Sequence, residues 1–284
     1  MKLATPIPLR ALCVLSQVSR AGFYRWRQRP PVVDTDLDLR DEIQKIALEW
    51  PSYGWRRITA ELHRRGRKVN HKRVLRIMRE DNLLCLRRRK FVVTTDSNHS
   101  RQVYPNLVGQ MALTGINQLW VADITYIRLE TEFVYLAVVI DAFSRRVIGW
   151  ALDPTVEDDL TLTALRMALE VRRPSPGLVH HSDRGSQYAS GDYTDLLQAH
   201  GCQISMSHKA SPWENAGCES WMKTLKSEEV YRQEYRNLAE ARGAIEGFIE
   251  KVYNQKRLHS ALDYCPTAEF ERALLARAAA GVRG

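Results

Sequence analysis

Apolar residues in the first third of the chain recur every three or four positions, which is the spacing of one helix face. The pattern predicts short helices separated by turns, two of them preceded by the capping residues Ser19 and Asn70. Gly66 supplies a stop signal before the last of these helices. The predicted helices are two short ones between Leu9 and Gln28, a third over residues 35–49, a fourth from Trp55 to Arg65, and a fifth after Asn70.

From about residue 118 onwards, apolar and β-branched residues come in short runs bounded by turn residues. Three successive runs predict an antiparallel meander, and alternating helices and strands follow it. The expected fold class is therefore α/β, with a mixed sheet covered by helices. The predicted strands cover residues 118–127, 133–140, 146–152, 177–181 and 202–207. The predicted helices cover residues 157–172, 191–200 and 216–231, and Asn215 is the predicted cap of the last one.

Residues 94–112 are polar and have no periodicity, which is typical of a linker. The chain is therefore expected to divide into a helical region over residues 1–93, this linker, an α/β domain over residues 113–275 and a tail over residues 276–284. A length of 284 residues agrees with two domains at about 150 residues each.

The composition is that of an ordinary globular protein, with 44% apolar and 26% charged residues, and it excludes a disordered chain. No apolar run approaches the roughly 18 residues of a membrane span, and the first residues do not resemble a secretory signal. Five scattered cysteines argue against a disulfide framework or a zinc finger. We expect a protein of a reducing cytoplasm with no membrane partner.

The positive charge is concentrated in the helical region. Residues 1–95 contain 22 basic and 9 acidic residues, whereas the remainder contains 20 and 24. Clustered basic charge releases counterions from phosphates, so nucleic acid is the expected partner. The last two predicted helices also match a helix-turn-helix, although a merely soluble helical hairpin gives the same pattern. The residues expected to contact DNA are Asn70, His71, Lys72, Arg73 and Arg76, and the basic run Arg87, Arg88, Arg89 and Lys90.

Three acidic residues of the α/β region are candidates for catalysis. Asp123 interrupts an apolar strand, where a carboxylate is costly unless it is paired or binds a metal. Asp183 follows a strand, at the edge where α/β sheets bind ligands, although a turn residue is an equally good interpretation of it alone. Glu219 shares a predicted helix face with Lys223 and Lys226, and an ordinary Glu–Lys pair on a solvated helix has the same spacing.

Carboxylates without His or Cys at ligand spacing suit Mg²⁺ or Mn²⁺ rather than zinc. Two such ions about 4 Å apart activate an attacking hydroxyl and stabilise a leaving oxygen on phosphorus. Lys223 and Lys226 can then hold the phosphates of a DNA substrate. We therefore interpret Asp123, Asp183 and Glu219 as the catalytic and metal-binding residues, with two Mg²⁺ or Mn²⁺ ions as the cofactor.

The spacing of these residues forms part of a larger set of motifs. Asp183 and Glu219 are separated by 35 residues, and Lys226 lies seven positions after Glu219. The other motifs are Tyr53–Ile58, Val69–Val74, Trp120–Tyr126, Ile140–Trp150, His181–Tyr188, Asn215–Ser220 and Tyr253–Leu262. Over nearly the whole chain, the set resembles the transposases of bacterial insertion sequences of the IS-three family, in particular their second open reading frame.

The resemblance implies a ribonuclease-H-like integrase core, with Asp123 contacting both metal ions and Asp183 and Glu219 holding one each. It implies cleavage at the ends of an insertion sequence and strand transfer into target DNA without a covalent enzyme intermediate. It also implies a homo-oligomer on DNA, a fusion to or cooperation with an upstream-frame protein, and a place in the bacterial cytoplasm at the nucleoid.

Two other functions stay open from the residues alone, a structure-selective nuclease on the same fold and a catalytically silent DNA-binding regulator. The intact acidic triad argues against the regulator. Asp141 is interpreted as a turn residue of the meander, and His181 and His208 as packed or hydrogen-bonded side chains rather than metal ligands. A last cluster either contacts DNA or packs a helix end, and its members are Tyr253, Asn254, Arg257 and His259.

Overall fold

The computed structural model describes residues 8–28, 36–83, 102–109, 111–208 and 211–281. The chain forms two compact units, Met1–Lys45 and Ile46–Gly284. The basic run at residues 87–90, which is predicted to bind DNA, lies outside the described residues. Within the described ranges, no helix is both long enough and apolar enough to cross a membrane.

The smaller unit begins with two short helices. Helix α1 spans Leu9–Leu15 and α2 spans Arg20–Arg27. The Ser19 hydroxyl caps α2 as predicted, because it accepts a hydrogen bond from the Gly22 amide at 3.0 Å. Helix α3 spans Leu37–Glu49 and crosses the division between the two units. All three helices confirm the prediction from apolar spacing.

The next two helices form a helix-turn-helix. Helix α4 spans Trp55–Arg64 and α5 spans His71–Glu80. Gly66 in the connecting turn has a φ of +86°, a left-handed conformation that favours glycine. The side-chain oxygen of Asn70 caps α5 as predicted, by accepting a hydrogen bond from the Lys72 amide at 2.9 Å. The two helices pack together through buried apolar side chains, among them Ile58, Leu62, Val74 and Ile77.

Five strands form one mixed sheet in the order β3-β2-β1-β4-β5. Strands β1 to β3 are an antiparallel meander, whereas β4 pairs parallel to β1 and β5 pairs parallel to β4. The predicted class, an α/β fold with a mixed sheet, is therefore confirmed, and β1 is its central strand. The strands are β1 Leu119–Arg128, β2 Phe133–Asp141, β3 Val147–Asp153, β4 Val179–Ser182 and β5 Gln203–Met206.

Helices cover both faces of this sheet, because successive residues of a strand point to opposite sides. Trp120 and Ala122 of β1 join an apolar core with α6 and α7 on one face. Leu119 and Val121 join a second core with α8 and α9 on the other face. The helices are α6 Asp158–Arg172, α7 Gly191–Ala199, α8 Ala216–Glu228, α9 Leu238–Gly247 and α10 Thr267–Gly281.

Two details at the ends of α8 differ from the sequence prediction. The helix ends at Glu228 rather than near Tyr231, because the chain tightens into a 3-10 turn over Val230–Arg232. Asn215 occupies the N-cap position, but its side chain makes no capping hydrogen bond and bonds to the Ala122 carbonyl instead. The predicted cap is therefore wrong, since a tertiary partner replaces the local one.

Asp141 is the turn residue that the sequence predicts. Its Oδ1 accepts hydrogen bonds from the Phe143 and Ser144 amides, and its Oδ2 accepts one from the Asn117 amide. Through these bonds the fully buried carboxylate shapes the turn between β2 and β3.

At the other end of the α/β region, α10 continues through residue 275, where the sequence prediction ends the core.

Candidate active site

Asp123 and Asp183 lie at matching positions of two adjacent parallel strands. In the pairing of β1 with β4, Val121 stands opposite His181, and each aspartate follows its paired residue by two positions. Asp183 comes directly after β4, whereas Asp123 lies within β1 beyond its last pair with β4. The parallel register therefore brings both carboxylates to one edge of the sheet.

Each of these aspartates also makes a local hydrogen bond. Oδ1 of Asp123 accepts from the Ile124 amide at 2.8 Å, and Oδ1 of Asp183 accepts from the Gly185 amide at 3.0 Å. The turn interpretation of Asp183 is thus confirmed. It does not conflict with ligand binding, since this bond uses one of the two carboxylate oxygens.

Glu219 is held by α8. The apolar side of this helix is buried as predicted, and its members are Cys218, Trp221, Met222 and Leu225. Oε2 of Glu219 lies 3.6 Å from Nζ of Lys223, and the Glu219 side chain is 37% exposed. The i,i+4 pair that was the simpler interpretation of Glu219 therefore exists, but it is long and solvated and contributes little stability.

The charges of the three carboxylates interact with one another. Burial and the charge of Asp183 raise the pKa of Asp123 to about 8, and the charge of Glu219 acts in the same direction. The Ile124 amide and the charge of Lys226 act to lower this pKa. A perturbed carboxyl group beside other acids is typical of a functional site. Three residues that are far apart in sequence thus share one electrostatic neighbourhood.

Lys226 belongs to the same neighbourhood. Its ammonium group lies 4.5 Å from the centre of the Tyr126 ring, which is a cation–π contact. Burial lowers the pKa of Lys226, while the charge of Asp123 acts to raise it. Lys223, in contrast, is 73% exposed and pairs with Glu219. Sequence reasoning missed Tyr126, because nothing in the pattern of β1 marks a tyrosine that contacts a lysine of α8.

The donor set fits a hard divalent cation, because it consists of carboxylate oxygens. In the part of the chain that the structure describes, however, no three His, Cys, Asp or Glu side chains lie close enough together to hold one ion. Each carboxylate has a local partner, which is the Ile124 amide for Asp123, the Gly185 amide for Asp183 and Lys223 for Glu219. The acids are neighbours, but their oxygens are not at a shared coordination distance.

His181 and His208 are hydrogen-bonded, as expected for histidines that are not ligands. Nδ1 of His181 lies 2.9 Å from the Ser205 hydroxyl oxygen, and Nδ1 of His208 lies 2.9 Å from Oε1 of Glu214. Glu214, another acid close to Glu219 in sequence, is thus paired with His208.

The α5 residues that are predicted to contact DNA are all exposed. The His71 ring stacks on Trp55 with 5.3 Å between ring centres, and Arg76 lies 2.8 Å from a carboxylate oxygen of Glu80. Exposure of a basic helix is what groove or phosphate contact requires. The exposed residues are Asn70, His71, Lys72, Arg73 and Arg76.

The four candidate residues of the motif that begins at Tyr253 are buried, namely Tyr253, Asn254, Arg257 and His259. The Asn254 side chain bonds to the backbone amide and carbonyl of Val147 at 3.2 and 3.0 Å. Arg257 binds Glu228 through two hydrogen bonds of 2.8 Å, with both side chains almost fully buried. The packing interpretation is therefore confirmed for these two residues.

Comparison with known families agrees with this architecture. Residues 114–212 match a family described as "Integrase core domain", and residues 200–266 match a second family with the same description. Residues 34–91 match the family "HTH-like domain". The fold and the family matches thus define an integrase-type polynucleotidyl transferase core with a helix-turn-helix region.

Two curated relatives cover nearly the whole chain. The "Insertion element IS600 uncharacterized 31 kDa protein" of Shigella sonnei is 39% identical over 266 residues, which is 91% of this chain and 97% of the relative. The "Transposase InsF for insertion sequence IS3A" of Escherichia coli (strain K12) is 35% identical over 274 residues, which is 94% of this chain and 95% of the relative. The chain therefore belongs to the IS3-type family of insertion-sequence transposases.

Among solved structures, the HTLV-2 integrase catalytic core domain in complex with magnesium is similar to this chain with a TM-score of 0.40 and 17% identity. The similarity covers 55% of this chain and 97% of that domain.

Proposed function

We propose that the chain catalyses metal-dependent DNA strand cleavage and strand transfer for an insertion sequence, with Asp123, Asp183 and Glu219 as its catalytic residues. The observation that supports this assignment is the parallel register of β1 and β4, which puts Asp123 and Asp183 at matching positions, with the charge of Glu219 on α8 acting on Asp123. The family to which the chain belongs supports the reaction type.

Asp123, Asp183 and Glu219 would hold two Mg²⁺ or Mn²⁺ ions, which supply the charge that activates a hydroxyl and stabilises a leaving oxygen on phosphorus. Cation binding needs Asp123 in its ionised form, and the charge of Lys226 already acts in that direction. Lys226 is half-buried next to the acids, so its ammonium group is placed to bind a phosphate of the strand that reacts.

The proposed partner is DNA, both the ends of the element and the target. The exposed face of α5 and the lysines of α8 would bind its phosphates and grooves. The family resemblance also supports a homo-oligomer on DNA and an upstream-frame protein that acts with this chain or is fused to it.

The decisive experiment compares Asp183→Asn with Asp192→Asn. Asp192 is an exposed residue in the first turn of α7, so its variant makes the same chemical change outside the acid cluster. A duplex that carries the terminal repeat of the element is incubated with target plasmid in Mg²⁺, and joined strands are counted. We expect joining to be abolished in Asp183→Asn and retained in Asp192→Asn, with both variants folded by circular dichroism.

A second readout measures cation binding without catalysis. A cation that binds only the folded state raises the melting temperature, so Mn²⁺ should stabilise the wild-type chain and Asp192→Asn more than Asp183→Asn. Full joining activity in Asp183→Asn would overturn the assignment. Hydrolysed ends without joined strands would instead identify the structure-selective nuclease.

A further inference from the structure

A polar pocket of about 340 Å³ lies on a different side of α8 from Glu219 and Lys226. It is lined by the first turns of α8 and by three arginines from separate parts of the chain. Arg57 comes from α4, Arg145 from the turn between β2 and β3, and Arg257 from the segment that follows Tyr253. We call this feature the arginine pocket.

The positive charge of the arginine pocket exceeds the negative charge around it. Arg257 is paired with Glu228, and both side chains are almost fully buried. Arg57 donates from Nε to the Leu258 carbonyl at 3.1 Å, which satisfies a donor without adding negative charge. Within the described residues, neither Arg57 nor Arg145 has a carboxylate oxygen within 4.0 Å. Of the three guanidinium groups, only that of Arg257 is therefore neutralised by a paired carboxylate.

Two residues of the pocket lining are almost fully buried, Trp221 at 2% and His259 at 7% exposed. Their Nε1 and Nε2 atoms have no hydrogen-bond partner among the described residues, but both atoms are inaccessible from the pocket. Burial and the charges of Arg257, Arg57 and Arg145 lower the pKa of His259 to about 3, so the ring is neutral near pH 7 and the positive charge of the pocket belongs to the guanidinium groups.

Internal packing explains only part of this arrangement. Arg57 and Arg257 connect α4 and α8 to the C-terminal segment, through the Leu258 carbonyl and Glu228. The backbone carbonyl of Arg145 accepts a hydrogen bond from the Tyr253 hydroxyl, but within the described residues its side chain makes no such connection. This side chain lies close to the first turn of α8, where a Cβ on Gly217 would stand 3.3 Å from its Nη1. The N-terminal end of a helix is positive and favours an anion.

We propose that the arginine pocket binds a backbone phosphate of the DNA on which the chain acts, at a point separate from the acidic site. The excess of guanidinium charge and the nearby helix end both favour an oxyanion. This proposal rests on the proposed function, because it takes DNA as the source of the phosphate.

The test uses the full chain, a labelled duplex and fluorescence anisotropy over a series of salt concentrations. Arg145→Gln removes one pocket charge, and Arg128→Gln removes an exposed charge at the end of β1 as the matched control. We expect Arg145→Gln to weaken binding and to reduce the slope of log K against log[salt] by about 1. Arg128→Gln should change neither value, and Arg145→Lys should restore the slope because it keeps the charge.

All binding is measured in EDTA, so the result is independent of strand transfer and of the acidic residues. An unchanged slope in folded Arg145→Gln would overturn the proposal.

A last arm separates DNA from free phosphate as the ligand. The melting temperature is measured in inorganic phosphate and in chloride at equal ionic strength. A phosphate-specific stabilisation that Arg145→Gln abolishes, together with an unchanged DNA salt slope, would assign the pocket to a free anion and reject the DNA phosphate. A loss of slope in Arg145→Gln supports the proposal with or without such stabilisation.

Discussion

The side-chain amide of Asn215 donates a hydrogen bond to the backbone carbonyl of Ala122 over 3.0 Å. Asn215 is the residue immediately before α8, and Ala122 is the residue immediately before Asp123 on the central strand. This buried contact joins the helix that holds Glu219 to the strand that holds Asp123. It therefore fixes the relative position of two acids that no local interaction connects.

Asn215→Ala should impair both stability and catalysis. Removing one partner of a buried hydrogen bond costs about 1–3 kcal/mol of unfolding free energy, which denaturant titration measures. We expect strand joining to fall about 10- to 100-fold, because small displacements of catalytic groups have effects of that size.

Asn237→Ala is the matched control for this change. The Asn237 side chain caps α9 by accepting a hydrogen bond from the Glu240 amide at 2.9 Å. Its loss should cost about 1 kcal/mol of stability and leave strand joining unchanged. If Asn215→Ala joins strands at the wild-type rate, the contact with Ala122 does not position the acids.

Much of the secondary structure could be predicted from the sequence. Helices and strands have apolar periods of 3.6 and 2, and burial of one face makes those periods visible along the chain. The caps Ser19 and Asn70 were predictable because they bond within three residues of themselves. The bond that Asn215 makes instead of a cap was not, since its partner Ala122 is distant in sequence.

The candidate site was predictable as a set of residues but not as a geometry. An acid within an apolar strand identifies Asp123, and the resemblance to known transposases identifies Asp183 and Glu219. The strand order that places β4 beside β1 depends on long-range pairing. The arginine pocket depends on long-range contacts still more, because Arg57 of α4 bonds to the carbonyl of Leu258, which lies 201 residues further along the chain.

Lys72→Ala combined with Arg73→Ala should weaken DNA binding. Both residues are exposed on α5, and each phosphate contact adds about one unit to the salt slope. We expect the slope to fall by about 2, measured by anisotropy with a duplex of the terminal repeat.

Lys251→Ala combined with Arg277→Ala removes the same charge from exposed positions near the end of the chain. This control variant should bind DNA with the wild-type slope. Equal slopes in both double variants would show that α5 is not the binding face.

Glu271→Gln should destabilise the fold strongly. The Glu271 carboxylate is 4% exposed, lies 2.8 Å from a guanidinium nitrogen of Arg146 and also pairs with Arg172. Breaking a buried pair leaves an uncompensated charge and costs about 3–5 kcal/mol, which chemical denaturation measures.

Glu269→Gln provides the comparison on the same helix. Glu269 is 43% exposed where it pairs with Arg64, and such surface pairs contribute about 0–1 kcal/mol. Similar losses in the two variants would contradict the role assigned to burial.

Burial acts to raise the pKa of Glu271, but hydrogen bonds from Arg172 and Ser144 hold it below the ordinary value. The stability that the ionised Glu271 carboxylate contributes is therefore lost as the pH falls through its depressed pKa.

The stability of the fold should also decrease below about pH 6.5, the ordinary pKa of an unfolded histidine. Burial, together with the neighbouring His181, lowers the pKa of His180 to about 3, and the ring bonds to the Tyr193 hydroxyl at 3.0 Å. Between these two pKa values the unfolded chain takes up a proton at this position and the folded chain does not. Each such histidine adds a slope of up to about 1.4 kcal/mol per pH unit.

His180→Gln removes this titration, so denaturant unfolding between pH 5 and pH 6 should show a shallower dependence of unfolding free energy on pH, by about 1 kcal/mol per unit. The comparison uses slopes, because the substitution lowers stability at every pH by disturbing a buried site. His200→Gln, at an exposed position after α7, should keep the wild-type slope. A wild-type slope in His180→Gln would mean that this histidine is protonated in the folded chain, despite its burial between the sheet and α7.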